Sequence, residues 1–324
     1  VTVALYVDDL LITSSSDEQL ESVVESVEKK FNGVTVHRGK KQEYLGMQLD
    51  FSVTGQVSII MSGYEADVVK CMNIRGTATT PALPDLFDID ENLPKLEKER
   101  MDEFHSHVAK ILYIAKRTRP DLLLAVQFLA QRVGAANEVD WKKLQRVGKY
   151  LNGSLGLGIR YVFENDSVLE LISSIDASFA VNAGAKSQSS VVILMGLGPV
   201  FTKCSKQKIV TKSSHEAELV ALSDGGSQVI WSRNFLIAQG YELPATVIYQ
   251  DNQATITSIK RGKPCSDRSR HVDIRLFWLG DRIQAGDIEI EYMRSEDMVA
   301  DFLTKPLQGE RFKVMRSKLM NWYS

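Results

Sequence analysis

The sequence predicts a mixed α/β chain of about two domains, and three observations carry that prediction. The chain has 324 residues, about the length of two ordinary domains. Its 44% hydrophobic and 25% charged content is that of globular protein with enough apolar mass for real cores. The hydrophobic pattern also changes character near Leu169. Helical periodicity dominates the stretch before it, and alternating strand and helix patterns follow, in the order β-β-β-α-β-α. No internal repeat and no low-complexity tract interrupts either part.

The first elements are short. Thr2 to Val7 and Leu10 to Ser14 are apolar runs on either side of a tight turn, a hairpin pattern. Asp17 to Phe31 carries Leu20, Val23, Val24 and Val27 at helical spacing, with Asp17 and Glu18 suited to the positive helix start. Val34 to His37 and Tyr44 to Phe51 read as strands, and Tyr64 to Met72 as a helix. Gly76 to Glu99, with Pro81, Pro84 and Pro94 and many acids, reads as an irregular connector whose Asp85, Asp88, Asp90 and Glu91 are solvated. Helices are expected over Met101 to Lys116, Pro120 to Val133 and Asp140 to Leu151, with Pro120 in a first turn where its missing N–H costs nothing. A Leu-Gly-Leu-Gly turn then leads to a strand over Ile159 to Phe163.

The second part is expected to hold strands over Leu169 to Ala177, Ser190 to Met195 and Pro199 to Thr202. A long helix from Glu216 to Gln239, a strand from Thr246 to Gln250 and a further helix follow. His271 to Ala285, Ile288 to Met293 and Glu296 to Leu303 close the set as helix, strand and helix. By analogy this order matches a ribonuclease H-like core.

Formal net charge is -2, so nucleic-acid binding would have to use local basic patches. Cys71, Cys204 and Cys265 lack metal-ligand spacing and read as reduced thiols. No apolar run is long enough to span a bilayer, no signal peptide is visible, and no membrane partner is expected. The chain opens inside a strand with no initiator Met, which suggests a piece of something longer.

Tyr6-Val7-Asp8-Asp9 sets two adjacent carboxylates between apolar runs. Burying such charges without a partner costs several kcal/mol. Neighbouring side chains on a regular strand point to opposite faces, so both acids can approach one cation only at a hairpin tip. Either this is a simple acidic turn or it is a metal site. An aromatic-x-Asp-Asp hairpin resembles the active-site hairpin of reverse transcriptases.

Two-metal phosphodiester chemistry needs carboxylates converging on cations roughly 4 Å apart. Four acids in apolar contexts are candidates. Asp176 lies inside a strand that should be half buried; its plain alternative is an edge residue facing water. Glu218 falls in line with Leu222, Gly225 and Val229 at i+4, i+7 and i+11, on the packed side of its helix. Ser213 and Glu216 fit a capping box, which gives Glu216 a structural task and leaves Glu218 unpaired; its plain alternative is dipole complementarity near the helix start. Asp251 ends a strand, where α/β sheets place ligands, or else caps the next helix. Asp301 lies among apolar residues late in an expected helix, where a carboxylate opposes the dipole and a functional reason is the better one.

The motifs Ser213-Ser214-His215-Glu216-Ala217-Glu218, Tyr249-Gln250-Asp251-Asn252-Gln253-Ala254, Arg270-His271-Val272-Asp273-Ile274-Arg275 and Ala300-Asp301-Phe302-Leu303-Thr304-Lys305-Pro306-Leu307 resemble copia-type retrotransposon polyproteins. Glu43-Tyr44-Leu45-Gly46-Met47 and Thr118-Arg119-Pro120-Asp121 resemble the polymerase and connection segments of that family. The resemblance runs over nearly the whole chain. It implies a partial reverse-transcriptase palm with a thumb-like segment over 1–75, an acidic Pro-containing linker over 76–100, a helical connection over 101–165 and a ribonuclease H-like domain over 166–324.

The same resemblance makes Asp8 and Asp9 paired metal ligands of the polymerase palm. It makes Asp176, Glu218, Asp251 and Asp301 the ribonuclease H ligands of two Mg²⁺ ions, with Mn²⁺ as an alternative. Family polymerases use a further palm Asp upstream, which these residues do not include, so the polymerase site is expected to be incomplete. Ser178-Phe179-Ala180-Val181 and the Phe201 segment depart from the family pattern in packing or substrate handling, not in the acids.

The implied substrate is an RNA·DNA hybrid. Lys203, Lys206, Lys208 and Lys212, before the long helix, and Arg261, Lys263, Arg268 and Arg270, after Asp251, are candidates for its phosphates. The plain alternative is solvated surface charge. His271 reads as a packing or surface helix residue. A partner carrying the N-terminal reverse-transcriptase part and an intracellular location, in a cytoplasmic particle or the nucleus, follow from the family. The competing reading is an inactive retroelement relic that at most binds nucleic acid. An α/β hydrolase is disfavoured, since no Gly-x-Ser-x-Gly elbow is present.

Overall fold

The structure is a computed structural model and describes residues 1–31, 33–163, 169–262 and 270–323. It opens on β1 (Thr2–Tyr6) and β2 (Asp9–Thr13), an antiparallel pair in which Tyr6 faces Asp9. Val7 takes a φ of 53° in the turn, the left-handed conformation a two-residue hairpin needs. Most of this hairpin is exposed. α1 (Asp17–Lys30) begins where the Ser16 hydroxyl accepts the Gln19 N–H, and only Val24 along it is buried.

The expected single strand over Tyr44 to Phe51 is a hairpin instead. β3 (Lys41–Tyr44) and β4 (Met47–Asp50) are joined by Leu45 and Gly46, both at positive φ. β5 (Gln56–Ile60), which sequence reading missed, pairs with β4, and the expected strand over Val34 to His37 has no regular structure. The fourth strand of this antiparallel sheet is β6 (Ile159–Val162), which pairs with β5 across some hundred residues of chain.

Between β5 and β6 lie α2 (Ser62–Cys71), α3 (Lys98–Arg117), a 3-10 turn over Pro120–Leu122, α4 (Leu123–Ala130) and α5 (Glu138–Asn152). Asn137 and Asp140 cap α5 reciprocally. The connector expected over 76–100 is irregular only as far as Glu97, where α3 takes over, and Asp85, Asp88, Asp90 and Glu91 are exposed. It is nevertheless packed: Ala82 and Leu86 sit in the same core as α3 to α5.

The second sheet has the order β11-β10-β7-β8-β9. β7 (Ile172–Asn182), β8 (Lys186–Met195) and β9 (Gly198–Lys206) form an antiparallel meander. α6 (Ser214–Ala238) crosses to β10 (Thr246–Gln250), which lies parallel to β7, and α7 (Gln253–Arg261) and α8 (Arg270–Gln284) lead to β11 (Ile288–Tyr292), parallel to β10. Period-two alternation divides the sheet's two faces. Ile175, Val191 and Ile193 pack with α6 and α8, whereas Val192 and Cys204 pack with the helical segment and with α9 (Gly309–Met320). One core therefore runs through the expected boundary at residue 165. The expected helix over Glu296 to Leu303 is only a 3-10 turn over Val299–Leu303.

Among the described residues no helix is long and apolar enough to cross a membrane.

Candidate active site

Parallel pairing of β7 with β10 ends at Ser174 and Tyr249, and β7 continues beyond it. Diverging strands open a crevice at their ends, the place where α/β sheets hold ligands. Asp176 stands two residues past the last paired position and is only 2% exposed. The Gln250 amide spans the fork, donating from Nε2 to Ile175 O at 3.3 Å and to Glu218 Oε2 at 3.2 Å.

Glu218 enters from the first turns of α6. The Ser213 hydroxyl accepts the Glu216 N–H at 3.2 Å, and Glu216 reaches back to the Lys212 N–H at 2.8 Å. Glu216 is thereby committed to the cap, and Glu218 points inward with Leu222, Gly225 and Val229, as its helical phase predicts. Asp251 follows β10. Asn252 caps α7 by accepting the Thr255 N–H, which leaves the Asp251 carboxylate for other partners; Ser295 Oγ donates to it at 2.6 Å.

The carboxylates of Asp176, Glu218 and Asp251 each offer an oxygen within 4.8 Å of the other two. Burial pushes the Asp176 carboxyl up to about 6, with Asp301 and Asp251 adding to the effect and Lys305 opposing it. Burial, then Asp176 and Asp251, push Glu218 up to about 9. Burial and the neighbouring carboxylates thus hold protons on Asp176 and Glu218 that compensating positive charge would displace.

Asp301 does not join that trio. Fully buried in its 3-10 turn, it gives one oxygen to the Lys305 ammonium and the other to Arg311 Nη2 at 2.9 Å. The dipole argument for it fails because no long helix precedes it; a pair of cations accounts for its burial instead. Lys305 ties it to the trio. Burial works against that ammonium's charge, but Asp176, Asp301 and Asp251 hold it charged, and its pKa is raised. Thr304 Oγ1 donates to Asp176.

Sequence reasoning did not single out Gln250, Ser295, Thr304, Lys305 or Arg311. Two of them, Thr304 and Lys305, stood within the motif quoted around Asp301.

Asp8 and Asp9 lie at the exposed hairpin tip, and among the described residues no third carboxylate groups with them. Lys203, Lys208 and Lys212 are exposed and Lys206 half-buried, along the end of β9 and the loop into α6. Lys263, Cys265, Arg268 and the side chains of Arg270 and His271 lie outside the described residues.

A layered α/β domain in which two buried carboxylates and a half-buried one converge beside the strand ends defines a candidate centre for metal-dependent chemistry. Comparison with known proteins bears out the resemblance read from the sequence. The chain is 27% identical over 98% of its length to the retrovirus-related Pol polyprotein from transposon RE1 of Arabidopsis thaliana, and 23% identical over 98% to that from transposon TNT 1-94 of Nicotiana tabacum. It spans 21% and 24% of the length of those relatives. The solved structure of the foamy viral protease-reverse transcriptase in complex with RNA/DNA hybrid is 12% identical. It superposes with a TM-score of 0.51, covering 90% of this chain and 36% of that one, so the fold is shared. No protein-family model matches the chain.

Proposed function

We propose that this chain is the C-terminal part of a retrotransposon reverse transcriptase and that Asp176, Glu218 and Asp251 form a ribonuclease H centre cutting the RNA strand of RNA·DNA hybrids. The convergence of those three carboxylates within 4.8 Å carries the reading. All donors are carboxylate oxygens, which suits Mg²⁺, or Mn²⁺ in its place. The raised carboxyls of Asp176 and Glu218 fit a centre that becomes comfortable only with compensating positive charge.

Bound there, a pair of such ions would supply Lewis acidity toward a water nucleophile and the leaving 3′ oxygen. The chain's own residues do the rest. Gln250 orients Glu218, Ser295 orients Asp251 and Thr304 orients Asp176. Asp301 borders the ligand set and holds Lys305 and Arg311 beside it. Its direct ligation of a second ion is part of the same proposal and requires release from these cations. Lys203, Lys206, Lys208 and Lys212, with Arg268 and Arg270, are proposed to hold the hybrid's phosphates. An intracellular setting, in a cytoplasmic particle or the nucleus, goes with this reading.

The deciding experiment is hybrid cleavage by the purified chain in Mg²⁺ against EDTA. Cleavage is expected with Mg²⁺ alone, and Asp251→Asn should reduce it by two orders of magnitude or more, roughly 3 kcal/mol of barrier. If D251N cuts at the parent rate, the assignment is wrong. A chain that binds hybrid without cutting it is the second reading, favoured by one observation: Asp301 already spends both oxygens on cations.

For Asp8 and Asp9 we propose the paired-ligand role of a polymerase palm without activity in this chain, since no third carboxylate stands with them among the described residues. Primer extension on an RNA template is expected to yield no product; steady extension would refute this.

A further inference from the structure

Well outside the acidic trio, a groove of about 480 Å³ runs between α5 and the chain just after α2. Lys142, Arg146 and Lys149 line it at i, i+4 and i+7 of α5, so they share one helix face. Gln145, Thr77, Ala78 and Thr79 complete the walls, and among the described residues no carboxylate lines it. Among the described residues none of the three cations forms an ion pair, although the molecule as a whole is slightly acidic.

The groove is built rather than incidental. The Ala78 N–H donates to Lys149 O at 3.2 Å, and Asn152 Nδ2 donates to Gly76 O at 3.1 Å. Two glycines let the opposing chain lie this close. A Cβ at Gly148 would meet Ile74 Cδ1 at 2.5 Å, and one at Gly153 would meet Thr77 Cβ at 3.0 Å. Arg146 is aimed by a single bond, from Nη2 to Thr80 Oγ1 at 3.0 Å. Its Nε is buried and has no hydrogen-bond partner among the described residues.

We propose that this groove binds phosphate groups of a nucleic-acid strand. Clustered cations beside hydroxyl and amide donors, in an open channel with no large apolar side chain in its walls, match a phosphodiester backbone. Position favours the same substrate as the acidic centre. Thr80 Oγ1 lies 3.1 Å from Gln308 Oε1, and Gln308 is three residues past Lys305, at most about 11 Å of extended chain. The groove is therefore linked to the surroundings of the trio through few residues. The inference rests on nucleic acid being the ligand of this chain, not on cleavage.

The test is binding of a short fluorescent RNA·DNA hybrid to the full chain in EDTA, over a series of salt concentrations. Lys142→Gln with Lys149→Gln alters two exposed side chains and should leave the melting temperature unchanged. It is expected to weaken binding about tenfold and lower the slope of log K against log salt by about one for each lost contact. Arg146→Lys, which keeps the charge but loses the fork, should weaken binding and leave the slope nearly unchanged.

Lys29→Gln with Lys30→Gln on α1 is the charge control. Equal losses there, or an unchanged affinity and slope in the groove variant, would overturn the proposal. So would inorganic phosphate that binds the parent but not the groove variant while hybrid affinity is the same in both, which would make the groove a free-phosphate site. Failure of the parent to cut hybrid in Mg²⁺ would count against the nuclease reading alone and leave this measurement intact.

Discussion

Glu218 keeps its proton up to about pH 9 and Asp176 up to about pH 6, because burial and shared negative charge disfavour ionisation. In the unfolded chain both titrate near about 4. Between those limits the folded chain holds protons that the unfolded chain has released. The associated stability is complete below the unfolded values and is lost as pH rises through about 6 for Asp176 and about 9 for Glu218. Thermal melts in EDTA are therefore expected to drop steadily with rising pH, and Glu218→Gln should flatten the upper part of that decline. An E218Q melting temperature that falls as steeply as the parent's above about pH 7 would contradict the assignment. Mg²⁺ should reverse the trend, because its ligands bind it deprotonated. The sequence made Glu218 legible through its helical phase and Asp251 through its place at a strand end. It could not expose Thr304 or Arg311: the first meets Asp176 from 128 residues away, and the second answers Asp301 from the next helix.

At the scale of elements, one buried guanidinium joins α2, the Pro120–Leu122 turn and the end of α5. Arg119 is fully buried and bonds Asp121 through Nε at 3.0 Å and Nη2 at 2.8 Å, Glu65 at 3.3 Å and Ser154 O at 2.9 Å. Tyr150 Oη closes the network, donating to Asp121 at 2.6 Å. Thr118-Arg119-Pro120-Asp121, quoted for resemblance alone, thus has a structural task. Arg119→Met would strand two buried carboxylates and should cost about 3–5 kcal/mol, read by urea unfolding. A loss under about 1 kcal/mol would show that the network is dispensable. Long amphipathic helices such as α3 and α5 were legible to within a few residues because their apolar faces repeat. The β3–β4 hairpin was not, because Leu45-Gly46 lacks the Asn-Gly or Asp-Gly signature that announces such turns. The connector's burial escaped notice because Ala82 and Leu86 are isolated apolar residues among prolines and acids.

At the scale of the whole molecule, one of the two cores runs from Val68 to Met320 and ignores the boundary composition suggests. Phe104, Ile111, Leu129 and Leu151 share one cluster with Val192, Cys204, Phe302, Phe312 and Leu319. Burying a single large apolar side chain contributes about 1.5–3 kcal/mol, so removing the second half would expose far more than the helices could tolerate. Residues 1–165 alone are expected to show no sharp thermal transition by circular dichroism, whereas the full chain unfolds cooperatively. A sharp transition in the short piece would restore an independent helical domain. Composition and periodicity distinguish element types, but not which surfaces meet after folding, and so the shared core could not be read in advance.

The pairing of β5 with β6 has a consequence for biosynthesis. A ribosome releases Gln56–Ile60 long before it makes Ile159–Val162, so the outer rim of β5 waits uncapped throughout that interval. Such a rim invites foreign strands. Nascent chains stalled before residue 159 should be the sticky ones, and those carried past residue 162 should shed chaperones.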